Sequence, residues 1–332
     1  MELKIKQVFD EWFDYKSKRV KTSTLSTYCN HFRYIHLYFV DKDMSSGVTN
    51  KEMTKFVEYL LSIGLSKKTA QDVKIVLTNI LKYLSLQYDT PTYQYNIDYP
   101  TDNLGKRSQI KFFSKEDCKK VFEEMEKDPD PRLLGMVIGL TTGMRIGEIC
   151  GLKYTDIDFD EKTISVNRTI ERIVINWSGK VIDYGNNDVI RIGNHRQSSV
   201  VVANPPKTIN SVRKCPVAKL PLKWLKEFKN TPFMKAKPND CYVLSLSPFP
   251  IEPRVYRNYY YKELEKLGLP KLNPHCMRHT FATQMLHSGV DPATIASILG
   301  HSSPAVTLEI YSHTNEDEKK KQVNAVFGKM FK

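Results

Sequence analysis

The chain has no run of about eighteen apolar residues, so no segment of it reads as a membrane-spanning helix. Its opening, Met1-Glu2-Leu3-Lys4-Ile5-Lys6-Gln7, lacks the apolar stretch of a secretory signal. Cysteine is sparse and scattered: Cys29, Cys118, Cys150, Cys215, Cys241 and Cys276 include no Cys-x-x-Cys pair. That spacing excludes a zinc ribbon and offers no disulfide framework, and the thiols read as reduced core residues of a cytoplasmic protein. A Gly-rich phosphate loop ending in Gly-Lys-Ser/Thr is missing, as is a carboxylate-rich cluster for a catalytic metal. No cofactor and no metal are therefore expected. Internal repeats and low-complexity tracts are absent too.

Positive charge is what the chain has in excess. Lys and Arg number 50 against 37 Asp and Glu, a net +13 at pH 7. Such a surface attracts polyanions, and nucleic acid is the commonest of them, so double-stranded DNA is the expected partner and a membrane is not. A hydrophobic content of 41% over 332 residues suits two folded domains of ordinary size rather than disorder.

The first part of the chain reads as a helical bundle over residues 1–88. Phe9, Trp12 and Phe13 recur at helical spacing, then Leu25, Tyr28, Phe32, Ile35 and Phe39, then Phe56 and Leu60, then Val73, Val76, Leu77, Ile80, Leu81 and Leu84. Thr22-Ser23, Thr49-Asn50 and Ser66 stand where helix starts need caps. Basic residues gather near those starts: Lys18, Arg19 and Lys21 at one, Lys67 and Lys68 at another. Backbone N–H groups and cations together suit phosphate, which makes these five candidate DNA contacts. Residues 89–111 change character, with Pro91, Pro100, Gly105 and the pair Lys106-Arg107, and read as a linker carrying two further candidate contacts. Ser114-Lys115-Glu116-Asp117 has the form of a capping box and opens the second domain, 112–314. That domain begins helical, turns at Thr141-Thr142-Gly143, becomes strand-like from Thr163 to about Val217, and is read as helical again after Pro221. A mainly α protein with a small antiparallel sheet is the expected fold class.

Four blocks carry chemistry-bearing side chains: Thr142-Gly143-Met144-Arg145-Ile146-Gly147-Glu148, His275-Cys276-Met277-Arg278-His279, Leu299-Gly300-His301 and Ile310-Tyr311-Ser312-His313. In order, spacing and flanking residues they resemble the tyrosine recombinase family, the phage-type integrases. The resemblance runs from about Phe112 to Met330 and more loosely over the helical N-terminal part. It implies a SAM-like helical core-binding domain followed by a mixed α/β catalytic domain. It also implies a dimer at one site and a tetramer in the synapse, working in the cytoplasm, nucleoid-associated when on DNA.

The residue types fit what breaking a phosphodiester without metal requires: a nucleophile, cations for the non-bridging oxygens, a base, and an acid for the leaving oxygen. Arg145 and Arg278 supply planar, permanently charged forks that match phosphate. A tyrosine with its ordinary pKa near 10 attacks poorly unless a neighbour takes its proton. By resemblance Tyr311 is that nucleophile and forms a 3′-phosphotyrosyl link, while His275 acts in proton transfer and His301 contacts the scissile phosphate. His279 and His313 are read as structural, and Glu148 as holding a neighbouring arginine or backbone group. The family places an acidic-proton donor, a lysine, on a β-hairpin. Pro206-Lys207-Thr208-Ile209-Asn210-Ser211-Val212-Arg213-Lys214 is similar to that segment and puts Lys207 in the role, with Lys180 as its rival. An extra hairpin is expected over 177–187.

The tail, 315–332, brings Val323, Val326, Phe327 and Met330 onto one helical face, suited to exchange between subunits or to packing on its own domain. Integrases of phages and conjugative transposons usually carry a small arm-binding domain ahead of the helical one. Here the helical pattern starts almost at Met1, so the expectation is either a simpler recombinase that binds core sites alone or a version or lineage lacking the arm domain. A type IB topoisomerase, or a DNA-binding protein with a vestigial site, are the alternatives.

Overall fold

The computed structural model describes residues 2–99, 111–174, 188–190, 199–205, 212–301, 303 and 305. Lys106, Arg107, Lys180, Lys207, Tyr311, the expected 177–187 hairpin and the 315–332 tail lie outside the described residues. The chain divides into two compact units, Met1–Arg107 with Arg172–Val200, and Ser108–Glu171 with Val201–Lys332.

In the first unit four helices form as their apolar spacing predicts: α1 Ile5–Ser17, α2 Thr22–Phe39, α3 Asn50–Ser62 and α4 Lys67–Tyr88. Thr49 caps α3 through a reciprocal box with Glu52, and Ser66 caps α4 by accepting from the Thr69 N–H. At α2 the expected cap is displaced. Thr22 is already the first helical residue and Lys21, which makes no side-chain cap, precedes it. The core between the helices is aromatic, with Phe9 stacked on Phe32 at 3.7 Å between centroids and Trp12 against Tyr28 at 4.9 Å. Part of the stretch that reads as a linker lies on this bundle. Tyr95 and Ile97 pack against its core, and Tyr95 Oη donates to the Val48 carbonyl at 2.7 Å.

The second unit opens with α5, Lys115–Lys127, started by the Ser114–Asp117 box, and α6, Pro131–Thr142. A short α7, Ile146–Cys150, follows the turn at Gly143. Along the chain follow strands β1 Ile157–Asp158, β2 Thr163–Val166, β3 Thr169–Val174, β4 Asp188–Ile190, β5 Ser199–Asn204 and β6 Arg213–Pro216, of which β4 and the adjoining ends of β3 and β5 fall in the 172–200 segment of the first unit. The sheet β1-β2-β6 is antiparallel and pairs Ile157 with Ile164 and Ile164 with Cys215, three buried side chains in one row. A second three-stranded sheet has the order β3-β5-β4. Helices α8 Lys219–Lys229, α9 Pro232–Lys235, α10 Pro253–Lys266, α11 His275–His287 and α12 Pro292–Leu299 complete the described part.

The helical reading after Pro221 needs one correction. Residues 241–244, Cys-Tyr-Val-Leu, are buried but not helical: Tyr242 bridges Lys153 and Ser247, and residues 243–246 form a turn, with Val243 N donating to Leu152 O at 2.9 Å and Tyr154 N donating to Cys241 O at 3.0 Å. The turn-forming Pro238-Asn239-Asp240 and the serines and prolines from Ser245 to Pro250 disfavour a helix here.

Among the described residues no helix is long and apolar enough to cross a membrane. All six cysteines are free thiols, five of them buried.

Candidate active site

Helix α6 ends at Gly143, which takes the left-handed conformation (φ 66°) that a side chain would strain. Space forbids a side chain there as well, because a Cβ would lie 2.4 Å from Leu299 and 2.8 Å from Phe281. That close approach brings α11 and α12 onto the turn ahead of Arg145. The Gly143 carbonyl then accepts from Arg278 Nη1 at 3.0 Å, so the turn that launches one arginine also holds the other.

Arg145 is the N-cap residue of α7. Its backbone N–H donates to Glu148 Oε2 at 2.8 Å and its Nη1 to Oε1 at 2.9 Å. The expectation that Glu148 holds a neighbouring arginine thus corresponds to two contacts. Glu148 is buried, and burial alone would push its carboxyl up. Arg213, then the Arg145 N–H and charge, reverse this and hold it below the usual carboxylate range.

Arg278 is 2% exposed and sits one turn along α11 from His275, whose N–H donates to Asn273 Oδ1 at 2.9 Å. The His275 and His279 rings meet edge to face at 4.7 Å. His301 follows the left-handed Gly300 that ends α12, with its N–H donating to the Ala296 carbonyl at 2.9 Å. Partial burial, then His279, Arg278 and Arg145, bring His275 down to about 4. Partial burial, then Arg278, Arg145, His275 and Arg213, do the same for His301, also to about 4. Each histidine thus feels both arginines, so Arg145, His275, Arg278 and His301 converge on one cationic locus within the second unit. Both rings are neutral at pH 7 and can take up a proton. Among the described residues no group of three or more His, Cys, Asp or Glu side chains could hold a metal.

These shifts have a measurable consequence without ligand. A histidine with an ordinary pKa near 6.5 in the unfolded chain and about 4 in the folded one binds more protons when unfolded. Stability is therefore full above about pH 6.5 and falls as pH drops toward 4. The melting temperature of the DNA-free protein is expected to decline across that window, and by less in a His275→Gln/His301→Gln variant. An equal decline in both proteins counts against the assignment.

Sequence reasoning missed Arg213, which was noticed only as part of the Lys207 segment. Its side chain is 6% exposed and forks onto Glu148, Nη2 to Oε2 at 2.9 Å and Nη1 to Oε1 at 3.1 Å. The available signal was strand alternation, since Arg213 lies two residues before the buried Cys215 on the inward face of β6.

The basic candidates of the first unit are placed as follows. Lys18 caps the C-terminus of α1, and Lys21 precedes α2. The Arg19 guanidinium lies 3.9 Å from the Tyr15 ring centroid and donates to the Tyr15 carbonyl at 2.9 Å. Lys67 and Lys68 open α4, with Lys68 ion-paired to Asp72 at 2.9 Å.

Known proteins place this arrangement. The phage integrase family profile matches residues 111–318. A XerC-like tyrosine recombinase of Caldanaerobacter subterraneus subsp. tengcongensis is 27% identical over 321 residues, 92% of this chain and 78% of that protein. The Tn1549 transposon integrase, solved in complex with circular intermediate DNA, shares the fold with a TM-score of 0.70 at 22% identity, over 98% of this chain and 100% of the other. A lambda integrase tetramer bound to a Holliday junction gives 0.61 at 16% identity, over 93% and 77%. The chain belongs to the phage integrase family, the tyrosine recombinases that break and rejoin DNA at specific sites.

Proposed function

We propose that this recombinase cleaves duplex DNA through Tyr311, whose oxygen attacks the scissile phosphorus while the bond to the 5′-oxygen breaks. His275 receives the phenol proton, and Lys207 returns a proton to the leaving 5′-oxygen. Arg145, Arg278 and His301 hold the non-bridging oxygens as charge builds on them. The product is a 3′-phosphotyrosyl ester with a free 5′-hydroxyl. The ester keeps the energy of the original bond, so rejoining asks for no ATP. Integration, excision or inversion of a mobile element would each use this step. The single observation that carries the reading is the Arg278 bond to the Gly143 carbonyl, which ties the second arginine to the turn that launches Arg145.

In the same reading residues 1–88 bind the core site and 112–314 catalyse, with 89–111 joining them and 315–332 either exchanged between subunits or packed on their own domain. Lys18, Arg19, Lys21, Lys67, Lys68, Lys106 and Arg107 meet phosphates and add salt-dependent affinity. A dimer on one site and a tetramer in the synapse are the working assemblies, as the lambda tetramer on a junction supports.

A nicked suicide duplex that loses a short 5′-hydroxyl fragment on cleavage tests this, because the covalent adduct then cannot rejoin. An adduct that maps to the Tyr311 peptide, with strand exchange between two sites, is the expected result. Relaxation of supercoils without exchange would make the enzyme a topoisomerase. The acid is tested separately. Lys207→Ala is expected to lose about 100-fold in cleavage. It should recover on a duplex whose leaving oxygen is replaced by sulfur, because a thiolate leaves without a proton. If Lys180→Ala shows that pattern instead, Lys180 takes the role.

A further inference from the structure

Glu148 is shared by two arginines. Its Oε1 accepts from Arg145 Nη1 at 2.9 Å and Arg213 Nη1 at 3.1 Å, and its Oε2 from the Arg145 N–H at 2.8 Å and Arg213 Nη2 at 2.9 Å. Arg213 also makes a third contact, Nε to the Ile298 carbonyl at 2.6 Å, and Cys215 of the same strand reaches that oxygen from 3.6 Å. Ile298 lies in the last turn of α12, three residues before His301. One side chain therefore grips both the carboxylate that orients Arg145 and the helix end that carries His301. Its base is fixed, since Arg213 pairs with Val166 in the antiparallel sheet.

A buried ion pair is weak evidence of a purely stabilising role. Replacing a buried ion pair by apolar side chains of similar volume is often neutral or stabilising, because two charges need not be desolvated. A guanidinium with three N–H groups committed in two directions supplies geometry that an apolar pair cannot.

We propose that Arg213 is a positioning residue for strand cleavage, holding Arg145 and His301 at the separation a single phosphate requires. This rests on the reading that those two residues meet the scissile phosphate.

The test compares wild type, Arg145→Met and Arg213→Met in single-turnover cleavage of one suicide duplex. The duplex carries either a normal phosphate or an uncharged methylphosphonate at the scissile position. An arginine clamp acts on the charge of the non-bridging oxygens, so losing its geometry slows the phosphate and spares the methylphosphonate, whereas misfolding slows both. Arg213→Met is expected to lose about 100-fold on phosphate. On methylphosphonate it should stay close to wild type, with duplex affinity unchanged. Equal loss on both substrates, or none on phosphate, overturns the proposal. Equal loss in Arg145→Met overturns the underlying reading of the site instead. Should Arg213→Met fail to fold, Glu148→Leu/Arg213→Met removes the whole buried pair and is expected to fold while showing the same substrate-dependent loss. Cleavage of the phosphate at the wild-type rate by that double variant overturns the proposal as well.

Discussion

Tyr311→Phe is expected to form no covalent adduct on a nicked suicide duplex, while its affinity for the intact duplex stays within about twofold of wild type. The substitution removes one oxygen and keeps the ring. In the proposed reading, contacts to the phosphate backbone, which supply most of the affinity, come from other side chains. The loss should be complete rather than partial, because a covalent mechanism without its nucleophile has no slower version of the same step. Water attacking in place of the phenol would release a free 3′-phosphate and leave no protein on the DNA. Gel mobility separates those products, and an adduct persisting in the Phe variant would move the nucleophile to another residue. The variant also isolates binding from chemistry, so the salt slope of its affinity counts the phosphates gripped without interference from cleavage.

How far the sequence foretold the molecule depends on how local each interaction is. The capping box at Ser114–Asp117 joins residues three apart and was legible; at α3 the Thr49 cap was read but its reciprocal partner Glu52 was not. Helical spacing identified the buried faces of α1 to α4 because period 3.6 needs only one segment at a time. The Arg145–Glu148 contact is of the same kind, three residues along the chain. Arg213 and Glu148 stand 65 positions apart, and nothing near either residue announces the other. The Arg278 bond to Gly143 spans 135 positions and was equally silent, although both residues had been singled out. The bridge-and-turn segment at 241–247 was missed for a related reason. Four apolar residues in a row say that the segment is buried but not its path, which is set by bonds to the distant backbone of Leu152 and Tyr154. The Tyr95 hydroxyl on Val48 is another long-range bond, and it puts part of an aperiodic, proline-bearing stretch onto the bundle. Family resemblance supplied the roles that geometry alone does not, and it singled out Tyr311 and Lys207, which the described residues leave to experiment.

Arg278→Lys is expected to lose about 100- to 1,000-fold in single-turnover cleavage at unchanged duplex affinity, although it keeps the formal charge. A guanidinium is planar and can serve the Gly143 carbonyl with one N–H group while presenting others to a phosphate in a fixed plane. An ammonium on a flexible stem is a point donor and cannot occupy both places. Burial adds a second cost. Arg278 is 2% exposed, and a lysine that deep is pushed toward its neutral form. The two causes separate by pH. If loss of charge dominates, cleavage by the lysine variant recovers as pH falls toward 6, where the ammonium is restored and the neighbouring histidines, near 4, are still neutral. If geometry dominates, the deficit is constant over the same range. A flat deficit is the expected outcome, because the scissile phosphate itself favours the charged lysine and leaves the missing fork as the defect. Cleavage near the wild-type rate at any pH would remove Arg278 from the clamp and leave it as a brace for the Gly143 turn.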